Sequence, residues 1–395
     1  APVRTSTTVH TLRTVSQGFE IGANDDLLRA RAVVLATGAC SRPAIPGIAD
    51  AVPESITTLT PLTYRDPGRL PHGGVLVVGA SATGIQLAAE IHASGRPVTL
   101  AAGEHVRLPR RYRSRDIFWW LEATGLLGER YDEIDDLTRA RHLPSPQLTG
   151  NPAAITDLNA LAARGVRIAG RLGRIADGVA QFSGSLANTC ALADLKMNRF
   201  LNRADEWATA SGLDDELPPP HRFEPTRVDP RAPLELDLSS GEITTVLWAT
   251  GFRPDHSWLH IPVRDRTGRI RHDGGVVTGA PGLYVLGLPV LRTRASTYIH
   301  GASADTEALA GRAAFVSAPF GLLTCSARYG PACQPRRGAW LPLVTKWRRV
   351  QHTRHTHWCH SGNVCPVHDA ADPRRVGVCR SRRTGWGRHS AVSFN

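Results

Sequence analysis

The sequence lacks the residue sets of several common enzyme classes. It has no Cys-x-x-Cys pair, and only Cys40 and Cys190 precede residue 325, which argues against a dithiol redox centre there. The same part has no Ser-His-Asp set, no paired carboxylates and no ordered metal motif, so it predicts no metal site and leaves the catalytic residues unknown. It also has no signal peptide and no apolar run of membrane-spanning length. These absences, with unpaired cysteines, favour a cytoplasmic protein.

Positive charge is concentrated at the carboxyl end of the chain. The sequence has 47 basic and 35 acidic residues, but 14 of the basic and only two of the acidic residues follow Ala310. Residues 1–310 therefore carry equal numbers of both signs. Apolar periodicity ends near Phe315, so the net charge of +12 is no guide to the partner of the folded part.

Three interpretations of residues 316–395 stay open. Arginines with interleaved aromatic residues are typical of nucleic-acid-binding arms. The histidines and cysteines between residues 352 and 368 are zinc-ligand types, although they lack the paired spacing of zinc motifs. A shifted reading frame would explain the abrupt change of composition and is the interpretation we favour. We therefore expect an irregular, basic, disordered tail and no nucleic-acid partner.

Residues 75–90 contain the most informative pattern. Four apolar residues, Val75 to Val78, run into a turn with Gly79 and Gly84 and then into a helix-period pattern. This order predicts the strand, turn and helix of a dinucleotide-binding unit, with the pyrophosphate on the helix N-terminus near Ala82. Gly79 permits the tight turn, and Gly84 lets helix and strand pack closely.

The second strand, residues 96–100, bears on the choice of nicotinamide cofactor. It is followed by Ala101-Ala102-Gly103 rather than by an acidic residue that would bind the ribose of NAD. Three arginines follow: Arg107, Arg110 and Arg111. Arginine matches phosphate geometry, so the cluster predicts contact with the 2′-phosphate of NADP. A solvated basic loop is the alternative.

Two further strands end in the same tripeptide. Residues 32–38 and 245–251 are apolar runs that end in Ala-Thr-Gly, and each follows short strand-like segments separated by turns. Small residues at a strand's carboxyl end leave room for a ligand at the edge of an open α/β sheet. The repeat predicts two related cofactor-binding units.

With these motifs the chain resembles the two-dinucleotide-binding flavoproteins, specifically the oxidoreductases related to flavin-containing monooxygenases. The resemblance spans roughly residues 1–315. Besides the turn at 79–84 and the two Ala-Thr-Gly strands, it is carried by Arg-Pro-Ala-Ile-Pro-Gly at 42–47 and by Pro-Gly-Leu-Tyr-Val-Leu-Gly at 281–287.

The resemblance implies an α/β fold with two Rossmann-like domains, the NADP domain inserted in the FAD domain. We expect an FAD-domain remnant at 1–63, the NADP-binding domain at 64–254, an FAD-domain return segment at 255–315 and the tail at 316–395. The implied cofactors are FAD and NADP. The residues expected to contact them are Ala36, Thr37, Gly38, Gly79, Ser81, Ala82, Thr83, Gly84, Arg107, Arg110, Arg111, Ala249, Thr250, Gly251 and Gly287.

Two family features are missing from the sequence. No Gly-rich strand, turn and helix precedes the first Ala-Thr-Gly, so we expect an amino-terminally truncated chain, with inactivity as one consequence; a second chain that supplies the missing part is the alternative. The monooxygenase signature Phe-x-Gly-x-x-x-His is replaced by residues 55–64, which contain neither the glycine nor the histidine.

The expected activity is therefore transfer of hydride from NADPH to FAD and of electrons onward to oxygen or another small-molecule acceptor. Two alternatives stay open: a non-catalytic NADP-binding remnant, and nucleic-acid or zinc binding through the tail. The substrate, the acceptor and the oligomeric state do not follow from the sequence, and no membrane partner is expected.

Overall fold

A computed structural model describes residues 3–148 and 156–317. Its strands are β1 (Val9–Val15), β2 (Gly18–Ala23), β3 (Asp26–Ala30), β4 (Val33–Leu35), β5 (Arg42–Pro43), β6 (Thr57–Leu59), β7 (Gly74–Val78), β8 (Val98–Ala101), β9 (Arg111–Tyr112), β10 (Arg115–Asp116), β11 (Arg167–Ala169), β12 (Leu172–Ala176), β13 (Val179–Phe182), β14 (Glu235–Asp237), β15 (Ile243–Trp248), β16 (Phe252–Arg253), β17 (His272–Asp273), β18 (Val276–Val277) and β19 (Leu283–Val285). Its helices are α1 (Ala82–Ala93), α2 (Ile117–Ala123), α3 (Leu137–His142), α4 (Leu158–Ala163), α5 (Leu186–Ala210) and α6 (Ile299–Ser317). Except for its first two residues, the predicted tail lies outside the described residues.

A five-stranded parallel sheet has the strand order β11-β8-β7-β15-β6. All five residues of β7 are buried, as expected of a parallel strand covered on both faces. Val75 and Val77 pack with α1, and Leu76 and Val78 pack with the apolar residues of the β12-β13-β14 antiparallel sheet. The parallel sheet confirms the predicted α/β class.

The edge strand β6 comes from a segment that the sequence analysis assigned to the FAD-domain remnant. Thr57 to Leu59 pair in parallel with Thr245 to Leu247 of β15. The five-stranded sheet therefore includes residues ahead of residue 64, the expected start of the NADP-binding domain. This strand also occupies the segment in which the monooxygenase signature was expected.

A second sheet, β17-β18-β19-β4, joins segments that are distant in sequence. Val33 to Leu35 pair in parallel with Leu283 to Val285, so the first Ala-Thr-Gly strand lies beside the strand that ends near Gly287. Phe19 of the β1-β2-β3 antiparallel sheet packs into the same core as Leu35 and Leu283. The two sheet edges at which the sequence predicts cofactor binding are therefore both formed by the carboxyl ends of parallel strands.

Candidate dinucleotide-binding site

The turn between β7 and α1 has the geometry of a phosphate cradle. Gly79 has a φ of +111°, and a Cβ there would lie 2.4 Å from the carbonyl oxygen of Ala249. Helix α1 begins at Ala82, as predicted, after Ser81, whose side chain makes no capping hydrogen bond. An aspartate side chain caps each of α2, α3 and α4, whereas α5, like α1, has no capping side chain. The first N–H groups of α1 are therefore free to bind an anion.

Gly84 closes the helix onto this turn. A Cβ at Gly84 would lie 1.8 Å from the carbonyl oxygen of Gly79, a separation that no pair of non-bonded atoms can adopt. The helix reaches its observed position only because residue 84 has no side chain. This close approach is the role that the sequence predicted for Gly84.

The second Ala-Thr-Gly lies beside the same turn. The Thr250 hydroxyl donates to the carbonyl oxygen of Ala44 at 2.8 Å, and the Ala44 N–H donates to the carbonyl oxygen of Gly251 at 2.9 Å. Strands β16 and β5 then pair antiparallel. These bonds hold the carboxyl end of β15 against residues 42–44.

A cleft of about 1270 Å³ opens above these strand ends. Six predicted residues line it: Gly79, Ser81, Thr83, Ala249, Thr250 and Gly251. Its charged lining consists of two carboxylates, Glu104 and Asp255, and six arginines, Arg42, Arg141, Arg171, Arg253, Arg264 and Arg269. This excess of guanidinium groups gives the cleft a positive charge, which favours an anionic ligand.

The structure contradicts the predicted role of Arg107. Its side chain is only 6% exposed and binds Asp157 at 2.8 Å and Asp194 at 2.7 Å. The guanidinium also donates a 2.9 Å hydrogen bond to the carbonyl oxygen of Glu224. A guanidinium held by two carboxylates in the interior stabilises the packing of α4 and α5 and is not available to a phosphate.

The other two predicted arginines are also away from the cleft. Arg110 forms an ion pair with Asp116 at 2.7 Å and lies over the ring of Phe118. Arg111 is an exposed residue of the short β9-β10 hairpin. Neither lines the cleft, so the predicted cluster does not form one phosphate site.

Arg171 and His256 are among the cleft residues that were not singled out from the sequence. Arg171 follows β11, and a Cβ on Gly103 would lie 3.4 Å from the Cγ atom of Arg171. His256 is 6% exposed, and burial lowers its pKa, so the imidazole is neutral at pH 7. Neither residue lies in a recognisable sequence motif. Arg171 lies 68 positions after Gly103 in the chain, and the parallel pairing of β11 with β8 brings Arg171 and Gly103 together.

The first Ala-Thr-Gly forms a second open edge. Gly38 and Gly287 have φ values of +68° and +74°, and a Cβ at either would meet no atom within 4 Å. Ala36 and Thr37 are exposed, while the Leu286 N–H donates to the carbonyl oxygen of Leu35 at 2.9 Å. The edge offers space for a flat ring system but has no phosphate cradle like that of α1.

Comparisons with known proteins agree with this geometry. The family model for pyridine nucleotide-disulphide oxidoreductases matches residues 1–121. The CzcO-like oxidoreductase of Geobacillus kaustophilus is 28% identical over 312 residues, which are 78% of this chain and 72% of the relative. The CzcO oxidoreductase of Bacillus subtilis is 25% identical over 307 residues, with the same coverage. These similarities are to oxidoreductases, and they agree with the predicted resemblance to the two-dinucleotide-binding flavoproteins. They support the predicted enzyme class, an oxidoreductase, and the predicted cofactor pair, FAD and NADP(H).

Among solved structures, a flavin-containing monooxygenase from Stenotrophomonas maltophilia is 19% identical, with a TM-score of 0.47 and coverage of 80% of this chain and 72% of that one. Within residues 3–148 and 156–317 of the chain, no helix is long and apolar enough to cross a membrane. The same residues contain no cluster of three or more metal-binding side chains.

Proposed function

We propose that this flavoprotein oxidises NADPH, transferring the hydride to FAD and the electrons onward to oxygen or another small-molecule acceptor. The observation that carries the proposal is the uncapped N-terminus of α1 above the closed Gly79 and Gly84 turn. A dinucleotide pyrophosphate placed there would accept hydrogen bonds from the free N–H groups and meet the positive end of the helix dipole.

The charge of the cleft supports NADPH rather than an uncharged ligand. Six arginines and two carboxylates line the cleft, and NADPH carries the charges of its pyrophosphate and of its 2′-phosphate. Of the two carboxylates, Glu104 binds Arg139 at 2.9 Å and Lys196 at 3.2 Å, so other cations already compensate it. The remaining positive field would concentrate a polyanion and orient its phosphates.

The residues around the two strand edges would position the reacting rings. Thr250 is held by the carbonyl oxygen of Ala44, which fixes the wall beside the turn. Gly38 and Gly287 leave open the edge at which FAD would lie. When bound, FAD supplies the chemistry that couples a hydride donor to an electron acceptor, and the protein excludes water and aligns the two cofactors.

Insertion of oxygen into an organic substrate is not part of the proposal. Residues 55–64, where the monooxygenase signature was expected, contain strand β6, whose Thr57 to Leu59 pair with β15. They provide no Gly-x-x-x-His pattern. Oxidation of NADPH with oxygen or a small molecule as the acceptor needs no such motif. A cytoplasmic location, where NADPH is available, belongs to the same proposal.

In the experiment, the FAD-reconstituted protein is mixed with NADPH without oxygen, and the visible absorption of oxidised flavin is recorded over time. We expect rapid bleaching with NADPH, slower bleaching with NADH, and recovery of the absorption when oxygen is admitted. Protein that binds NADPH but never bleaches would instead identify a non-catalytic nucleotide-binding protein and would refute the proposal.

A further inference from the structure

The carboxyl end of β8 is the position at which a Rossmann-type unit recognises the ribose of its dinucleotide. Strand β8 ends at Ala101, and the sheet places β11 beside it in parallel, with Ala169 opposite Ala101. The Ala102 N–H donates to the carbonyl oxygen of Ala169 at 2.9 Å. Residues just after β11 therefore lie next to the expected ribose position, although they are about seventy positions away in sequence.

Arg171 is the residue that this pairing brings to the ribose position. We propose that the Arg171 guanidinium binds the 2′-phosphate and selects NADPH over NADH; the inference rests on the proposed function and deepens it. The side-chain stem of Arg171 lies over Gly103, where a Cβ would be 3.4 Å from Cγ and 3.6 Å from Cδ. Its own carbonyl oxygen accepts a 2.9 Å hydrogen bond from the Ser183 N–H, which fixes its backbone.

The guanidinium of Arg171 is free within the described residues. No carboxylate there lies within ion-pair distance of it, and its side chain makes no hydrogen bond. Arg107, Arg110 and Arg139 differ, because each of them forms an ion pair with an aspartate or glutamate. An exposed, uncompensated guanidinium that lines the cleft can form a two-point contact with a phosphate.

The nearby carboxylate of Glu104 does not prevent binding of a 2′-phosphate at this position. Glu104 is the acidic residue that follows β8, and an acid at this position would favour NAD by accepting from the ribose hydroxyl. One of its oxygens, Oε1, is already bound by Arg139 at 2.9 Å and by Lys196 at 3.2 Å. Two cations thus compensate its charge, which reduces its repulsion of a 2′-phosphate.

The test compares the wild type with Arg171→Gln, Arg171→Lys and the control Arg174→Gln. Arg174 is an exposed arginine of β12, three residues further along, and does not line the cleft. Dissociation constants are measured for NADPH, NADH and 2′,5′-ADP by fluorescence and calorimetric titration. Thermal melting of each variant checks that it is folded.

Arg171→Gln should weaken NADPH and 2′,5′-ADP about 10- to 150-fold, the range of one lost charge-assisted contact, and should leave NADH unchanged. Arg171→Lys should lie in between, because lysine keeps the charge but loses the planar fork. Phosphorus NMR should show a shift of the 2′-phosphate signal on binding to the wild type and to Arg174→Gln, and a smaller shift with Arg171→Gln.

Equal weakening of NADPH and NADH in Arg171→Gln would overturn the assignment, since it would mean a pyrophosphate contact or a general effect of charge. Unchanged NADPH affinity would overturn it as well. Both results leave the proposed NADPH oxidation standing. A wild-type protein that binds neither nucleotide would refute the proposed function and the assignment together.

Discussion

Replacement of Gly84 by alanine tests the closure of α1 onto the cofactor turn. A Cβ at residue 84 would lie 1.8 Å from the carbonyl oxygen of Gly79 and 2.8 Å from its carbonyl carbon. The obstacle is backbone, so no side-chain rotation relieves it. Reaching an ordinary contact of about 3.4 Å requires a shift of roughly 1.6 Å between helix and strand.

The cost follows from the packing of α1. Its residues Ile85, Ala88 and Ile91 are fully buried in the core beside β7, so a shift of the helix disturbs close-packed contacts. Overpacking costs about 1–3 kcal/mol, and sometimes more, whereas alanine in an unobstructed helix gains up to about 1 kcal/mol over glycine. Because the obstacle is backbone, the cost lies at the upper end of this range, about 3 kcal/mol, so we expect a net loss of about 2 kcal/mol and at least a tenfold weaker binding of NADPH.

The matched control is Gly311→Ala in α6, where a Cβ would meet no atom within 4 Å. Its melting temperature should be unchanged or higher, and its NADPH affinity should equal that of the wild type. The assays are thermal melting and titration of nucleotide fluorescence. If Gly84→Ala melts and binds NADPH like the wild type, the close approach of helix and turn is not what forms this site.

Three further results are expected. Arg107→Met should lower the free energy of unfolding in urea by about 3–5 kcal/mol, because it leaves Asp157 and Asp194 buried without their counter-charge. A change in the ratio of NADPH to NADH affinity would instead show that Arg107 contacts the 2′-phosphate. Burial and then the charge of Arg141 lower the pKa of His272 to about 4, below its ordinary 6.5. As pH falls, the imidazole of His272 is therefore protonated in the unfolded chain before it is protonated in the folded protein, and on the order of 3 kcal/mol of the free energy of unfolding is lost between pH 6.5 and pH 4. Urea unfolding of His272→Gln should show a smaller loss over this range. A loss equal to that of the wild type would contradict the lowered pKa of His272. Cys40 is exposed and lines the cleft, so NADPH should slow its alkylation in peptide mass spectrometry, whereas Cys190, with a pKa raised to about 11 by burial, should stay unmodified; equal rates at Cys40 with and without NADPH would place the nucleotide elsewhere.

The parts of the site that depend on local chain geometry could be predicted from the sequence. The turn at Gly79, the start of α1 at Ala82 and the close packing at Gly84 all agree with the structure. Each depends on residues within one strand, turn and helix, where backbone conformation and the absence of a Cβ decide the outcome. The apolar run from Val75 to Val78 likewise predicted a strand buried on both faces.

The same local rules failed for Arg107, the arginine that the sequence predicted to bind phosphate. Arg107 follows the second strand in sequence, but the fold brings Asp157 and Asp194 to it and buries the three together. No spacing pattern in the sequence indicates that Asp157 and Asp194 bind Arg107, since they come from the N-terminus of α4 and from α5. A charged side chain that is removed from water must be compensated, and here distant carboxylates provide the compensation.

The α/β class of this protein could be predicted from short segments of sequence, because strand runs, glycine turns and the repeated Ala-Thr-Gly depend on short-range sterics that any copy of the motif obeys. Tertiary structure decided which charges face the cleft. The parallel pairing of β11 with β8 places Arg171 at Gly103, and the burial of Arg107 removes it from the ligand. Both outcomes depend on contacts between residues fifty or more positions apart, and no local pattern encodes such contacts.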